Sequence, residues 1–296
     1  MILINSTEVI PSYLTSNVSV TETEWTTGTY NLGDQRYVGT TLYEVVADPS
    51  TTDDPTVGVL ADPQTWINIG EINRFKMFSE VLSEQTERTG TIEVGITTGS
   101  LLNSVAVLNV SGNSVNVVVD DPVEGVVYDT TKTLLDNSDV VDWYTYFFEP
   151  ITRKTDVVFL DLPAYIAATV EVTVDAGTET AKVGELVVGK RREIGQTNYG
   201  TSVGIVDYSK KERDTFGGAI ILERAFSKRV EYDISVETSK VSTIANALTE
   251  VRAKPTVYIG NEDESSLIVY GYYRDFGITY STPSLSSCTI EVESLT

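Results

Sequence analysis

The chain has 296 residues, with 43 aspartates and glutamates against 21 lysines and arginines, a formal net charge of −22, and no histidine. That length suffices for two or three domains with their own cores, and so acidic a chain repels nucleic acid and anionic membranes, so neither is expected as a partner. Without histidine there is no Ser-His-Asp or Cys-His nucleophile and few ways to build a zinc site. Cys288 is the only cysteine, which excludes an intrachain disulfide and suits synthesis in a reducing cytoplasm. The first residues, M-I-L-I-N-S-T-E, have neither the basic segment nor the long apolar run of a signal peptide. No stretch reaches membrane-spanning length, so a soluble protein without membrane insertion is expected.

Residues 1–24 open on the apolar Ile2 to Ile4 and continue in threonine and serine, a pattern for one or two strands or an arm leaning on a neighbour. From Trp25 to about residue 70 the character changes. Trp25 and Trp66 bracket short segments bearing Tyr30, Tyr37 and Tyr43, punctuated by Gly28, Gly33 and Gly39. Glycines at tight turns between aromatic and β-branched residues predict a very small antiparallel β unit, with Asp48 to Pro63 as its long loop. So small a unit buries little aliphatic surface, so its rings must form most of its core. A ring left over would lie on the surface as a platform for a sugar.

Residues 71–189 alternate in the manner of half-buried strands. Val105 to Val110 and Ser114 to Val119 flank Ser111-Gly112-Asn113, which reads as a three-residue hairpin loop, and Thr169 to Val174 alternates without a fault. Turn signals every eight to twelve residues suggest a sandwich or jelly roll. In D-W-Y-T-Y-F-F-E-P, the rings of Trp143, Tyr144, Tyr146, Phe147 and Phe148 read as core or as a seam between subunits.

Residues 190–296 hold another alternating strand, Val230 to Val236, and then the one convincing helix, where Val241, Ile244, Ala245 and Leu248 recur at helical spacing. Ser239 is its expected cap and Pro255 its stop. Strands are expected again at Thr256 to Ile259, Leu267 to Tyr270 and Thr289 to Glu293. The fold class is therefore mainly β: a small aromatic module, a jelly-roll or sandwich domain, and a C-terminal β-rich α+β domain with one helix.

Charge is unevenly placed. Residues 1–70 carry nine acids and one base, 71–180 eighteen and six, and 181–296 sixteen and fourteen. In the last third Lys190, Arg191, Arg192, Lys210, Lys211, Arg213, Lys228 and Arg229 form a basic cluster that reads either as an assembly face toward acidic neighbours or as a solvated mixed-charge surface. No cofactor is expected. Calcium is the one metal for which loop ligands exist, at Asp53 and Asp54, at Asp120, Asp121 and Glu124, and at Asp136, Asn137 and Asp139, yet none matches the twelve-residue calcium loop. Asp207, Glu212 and Asp214 supply the carboxylates that glycoside hydrolysis needs, but they are interleaved with lysine and arginine and read as salt bridges. Cys288 reads as a small buried hydrophobe rather than a reactive thiol.

The order W…G-x-Y…G-D…Y-x-G…Y…W, carried by Trp25, Gly28, Tyr30, Gly33, Asp34, Tyr37, Gly39, Tyr43 and Trp66, resembles the small carbohydrate-binding module beside the catalytic domains of chitinases and cellulases. That resemblance implies glycan stacking on the last tryptophan and an adjacent ring, with Trp66, Trp25 and Tyr43 as candidates; here Pro63, Gln64 and Thr65 stand where the adjacent ring would be. The W-x-x-x-G-x-x-N-R-x-x-M-F exit, at Trp66, Gly70, Asn73, Arg74, Met77 and Phe78, resembles structural proteins of tailed bacteriophages, as do Ile194 to Glu212, Leu248 to Pro255 and Tyr270 to Phe276. Asn73 to Phe78 also resembles the start of a galactose-binding-like jelly roll. The resemblance implies a non-enzymatic structural protein of the tail, at its distal tip or baseplate. It would be made in the host cytoplasm and carried in the virion, with partners among other tail proteins, further copies of itself and a bacterial surface glycan. Arg191, Arg192, Lys210, Lys211 and Arg213 are the candidate assembly residues. A dedicated glycan-binding receptor protein is the second reading and a glycan-degrading tail enzyme the third.

Overall fold

The structure, a computed structural model, describes residues 1–136, 142–148, 152–213 and 216–295. Asn137, Asp139 and Asp214, and the side chain of Tyr146, lie outside what it describes. It is mainly β. Strands β1 (Ile2–Ser6) and β2 (Leu14–Ser16) come first. The small module follows as β3 (Tyr30–Asn31), β4 (Gln35–Val38), β5 (Thr41–Val45), β6 (Ser50–Thr51), the single turn α1 (Pro55–Gly58) and β7 (Trp66–Glu71). The body continues with β8 (Thr86–Ile96), β9 (Ser104–Ser111), β10 (Ser114–Asp121), β11 (Gly125–Thr133) and β12 (Leu135–Asp136). After the short helix α2 (Trp143–Phe148) come β13 (Thr152–Arg153), β14 (Val157–Phe159) and the 25-residue β15 (Thr169–Glu193). The last third holds β16 (Gln196–Thr197), β17 (Ser202–Asp207), β18 (Lys210–Arg213), β19 (Ala219–Leu222) and β20 (Phe226–Glu237). Helix α3 (Val241–Glu250) and strands β21 (Thr256–Ile259), β22 (Ile268–Thr279) and β23 (Leu285–Ser294) complete it.

Strand β15 is the spine. Its first half pairs with β10, Thr169 with Asp120 through Asp175 with Ser114, and its second half pairs with β9, Lys182 with Ser111 through Gly189 with Ser104. Strands β9 and β10, both antiparallel to β15, therefore run in one direction along the same side of it. Ser111-Gly112-Asn113 is thus a corner in a single line, not the expected hairpin loop. Strand β8 makes the same passage on the other side, breaking at Gly90 (φ +89°) where β15 breaks at Gly177 (φ +64°). A side chain at Gly112 would meet the Asp175 carbonyl at 3.0 Å, so the corner is closed by small residues in all three lines. A break in alternation carrying glycine looks the same in sequence whether the chain then reverses or only bends.

The first strand joins the two large parts of the molecule. On one side β1 pairs with the end of β15, Ile2 with Glu193 through Ser6 with Gly189, and on the other with β21, Ile2 with Ile259 through Asn5 with Thr256. The expected boundary between residues 189 and 190 therefore falls inside one strand, and one 14-stranded sheet, in the order β11-β10-β15-β1-β21-β22-β23-β20-β16 along its main path, runs through both parts. Because β1 alternates, Leu3 enters the core under α3 with Tyr232, Ile234, Leu248 and Ile290, while Ile4 enters the opposite core with Leu108, Val187, Ile259 and Tyr270. A third core, rich in valine, lies between β8, β9, β10, β14 and the two halves of β15.

Within β9 and β15 the faces switch at one level. Asn109 has φ +50°, and its partner across the ladder is Gly184, where a Cβ would stand 2.7 Å from that of Asn109 and 2.8 Å from the Leu82 carbonyl oxygen. Val107 and Val110 consequently face the same core although three residues apart, and Glu185 emerges on the face of Leu108 and Val187. Helix α3 forms where its spacing predicts, burying Val241, Ile244 and Leu248. Ala247 is buried where Ala245 was expected. Ser239 does not cap it: residues Thr238–Lys240 form a 3-10 turn that leads into the helix, with no side-chain cap.

Candidate functional site

The rings of the module turn inward. Trp66 is fully buried; its Nε1–H donates to the Asp53 carbonyl at 3.0 Å, and Tyr30 meets it edge-on with ring centroids 5.6 Å apart. Val45 completes the core, and Trp25 and Tyr43 pack against it half-buried. Arg36 lies 4.9 Å over the Tyr30 ring. Gly33 and Gly39 adopt positive φ, Asp34 accepts from the Asn31 backbone N–H at 2.8 Å, and Gly28 stands beside the Tyr30 hydroxyl. Tyr37 exchanges backbone hydrogen bonds with Thr23 and Trp25. Trp66 thus offers no face to a glycan, because a unit this small needs its largest ring as core.

The segment after β7 works as a mount. The Asn73 side-chain amide donates to the Glu87 carbonyl at 2.9 Å and accepts from the Glu87 N–H at 3.0 Å, while Arg74 donates to the Val18 carbonyl at 2.7 Å. Met77 is fully buried, and its N–H donates to Thr86 Oγ1. The residues of the N-R-x-x-M-F exit therefore hold the module to the large sheet.

A two-stranded arm leaves that sheet. Strand β17 pairs with the start of β20, Ser202 with Glu231 through Asp207 with Phe226, and the hairpin continues as β18 with β19, Lys210 with Leu222 through Arg213 with Ala219. Its root is pinned: Tyr208 donates to Glu293 at 2.5 Å, Ser227 donates to the same carboxylate at 3.0 Å, and Lys228 donates to the Ser265 and Ile268 carbonyls. The Tyr208 hydroxyl holds the Glu293 carboxyl below its usual range. Farther out every described residue from Lys210 to Phe226 is exposed, including Phe216 (96%), Ile220, Ile221, Leu222 and Phe226. Basic side chains stand opposite these apolar ones, so Lys211 and Arg213 share a face with Ile221. Lys211 pairs with Asp207 at 2.6 Å and Lys210 with Glu212 at 2.9 Å, which places two of the three carboxylates considered for hydrolysis in surface ion pairs. Arg191 and Arg192 are elsewhere, on the end of β15, where Arg192 pairs with Glu250 of α3 at 2.8 Å. The basic cluster is thus divided between sheet and arm.

A cleft of about 680 Å³ opens where the segment after β1, the mount, β15 and the turn before β21 meet. Four carboxylates line it, Glu8, Glu71, Glu80 and Glu185, against one base, Lys254; Phe75, Phe78, Val9 and Leu186 supply apolar wall. Glu185 is 4% exposed, and burial raises its carboxyl to about 8, against the opposing pull of hydrogen bonds from the Tyr270 hydroxyl and the Glu80 N–H. Its Oε2 has no hydrogen-bond partner, and neither has the buried Oε2 of Glu71. Glu80 holds φ +63°, a conformation unfavourable for a side-chain-bearing residue.

No protein-family model, curated protein or solved structure matches the chain.

The remaining candidates have local roles. Asp54 accepts from the Thr56 N–H and hydroxyl at the start of α1, and Asp53 accepts from Thr65. Asp121 accepts from the Val123 and Glu124 N–H groups, and Glu124 from the Tyr165 hydroxyl. Among the described residues no group of three or more acids or cysteines could hold a metal ion. None of the described helices is long and apolar enough to cross a membrane. Cys288 is fully buried in β23, with its thiol pushed up to about 11 by desolvation. The rings of α2 are not core: Trp143, Tyr144, Phe147 and Phe148 are all exposed, with Tyr144 on Phe148 at 4.9 Å between centroids. The cleft was not read from the sequence as a site, and of the arm only the basic residues Lys210, Lys211 and Arg213 were, as candidate assembly residues. Each left a trace: Ala219-Ile220-Ile221-Leu222 is an apolar run without a period, and Glu185 is a lone acid inside the apolar run from Val183 to Val188.

Proposed function

We propose that the chain is a structural building block of a bacteriophage tail, joined to further copies of itself through the arm. The observation that carries this reading is the arm. A two-stranded ribbon with no third strand is marginal in water, and this one exposes Ile220, Ile221, Leu222 and Phe226. Such a surface is stable and soluble only when a partner covers it. The resemblance of the exit segment and of Ile194 to Glu212 to tail proteins supplies the setting, and the second of these stretches includes β17 and three of the four residues of β18. No reaction is proposed. Glycan contact is a subsidiary reading that rests on the half-buried Trp25 and Tyr43 alone.

Sedimentation velocity on the full chain and on a variant with residues 209–224 replaced by Asn-Gly tests the reading. The full chain is expected to form a defined oligomer at micromolar concentration, the variant to be a folded monomer, and antibodies to the chain to label phage tails. A full chain that stays monomeric, or label confined to capsids, overturns the proposal.

A further inference from the structure

The cleft is costly to maintain. A carboxyl oxygen buried without a partner forfeits the hydrogen bonds it had in water, and here two such oxygens, on Glu71 and Glu185, line one cavity. Glu80, whose N–H approaches Glu185, is held in a left-handed conformation to do so. What relieves orphaned acceptors among carboxylates is a donor that is itself positively charged and carries several N–H groups. Phe75, Phe78 and Val9 beside them suit the methylene stem of such a group.

The arm displays groups of this chemistry. Arg213 makes no ion pair with any described residue, and its planar fork can address two carboxylate oxygens together. Between Lys210 and Arg224 the chain has four bases and three acids, whereas the rest carries 17 bases and 40 acids. The arm thus has a small basic excess in an otherwise acidic chain, so the acid-lined cleft does not repel it. Resting on the self-assembly reading above, we infer that the cleft of one copy receives the Arg213 guanidinium of a second copy's arm, which lies across Glu80 and reaches Glu71 and Glu185. Arm and cleft share no residue. A single arm–cleft contact is therefore heterologous, and it is completed either by two copies exchanging arms about a two-fold axis or by head-to-tail repetition into a ring or filament.

Charge exchange separates this inference from the reading beneath it. Arg213→Glu and Glu80→Arg, both at exposed positions, are each expected to weaken association at least ten-fold in sedimentation velocity, and the double variant to recover most of the loss. Glu185→Gln, with folding checked by circular dichroism, should weaken association with no change in the arm. If both single variants assemble like the parent while the arm-shortened chain does not, the arm docks elsewhere and the cleft assignment fails with self-assembly intact. If the parent itself never associates, both fall.

Discussion

Trp66 turns its indole to the inside of the module, where Asp53 takes its N–H and Tyr30 meets its face. Removing it deletes the centre of a core that otherwise consists of Tyr30 and Val45. Trp66→Ala is expected to cost about 3–5 kcal/mol in the module, seen as an early transition in urea followed by tryptophan fluorescence; an unchanged transition would show that the ring is dispensable. Glu185 makes the second prediction. Its carboxyl titrates near 8 when folded and near the ordinary 4.5 when unfolded. Between those values the folded chain holds a proton that the unfolded chain has released, so stability falls as pH rises through that window and then levels. The slope is at most about 1.4 kcal/mol per pH unit. In the arm-shortened chain, urea titrations at pH 5 to 9 should show this fall with Glu185 and lose it in Glu185→Gln; parallel profiles would refute it. Glu80 and Tyr270, in contact with Glu185, and Glu8, Glu71 and Lys254, elsewhere in the cleft, are the other charged or titratable groups there. At this scale the sequence told which residues are special but not which way they face. The rings of Trp25, Trp66 and Tyr30 were legible as a group, whereas burial of Trp66 depends on the loop that folds Asp53 over it.

Among the elements, α3 was the most legible, since three apolar residues at helical spacing have no second use in a short exposed segment. The strands around Val105, Val115, Val170 and Val230 were equally plain. Their partners were not, because alternation marks a strand without naming its neighbour. The corner of β8, β9–β10 and β15 and the paired switch at Asn109 and Gly184 arise only when three lines must bend together. Gly184→Ala tests the switch: its methyl would collide with Asn109 and the Leu82 carbonyl, and a loss of about 1–3 kcal/mol is expected by thermal unfolding. An unchanged melting temperature would mean that the level is soft. Of the arm only the basic residues of β18 were legible, since its apolar run looks like core until the fold leaves it outside.

At the scale of the whole molecule, the expected division into separate bodies gives way to one sheet seamed by β1. Deleting residues 1–6 would bare the facing edges of β15 and β21 and empty the Leu3 and Ile4 positions in two cores. The shortened chain is expected to show two calorimetric transitions in place of one and to scatter light on warming, as open edges pair between molecules; a single sharp transition would show that the seam is not needed. The same strand sets an order of events during biosynthesis. It leaves the ribosome long before either of its neighbours exists, with Met1 and its contact Gly195 separated by 194 positions. The nascent polypeptide must therefore keep this apolar strand unpaired until β15 and β21 have both emerged, so the closing step is slow and chaperones have time to act on it.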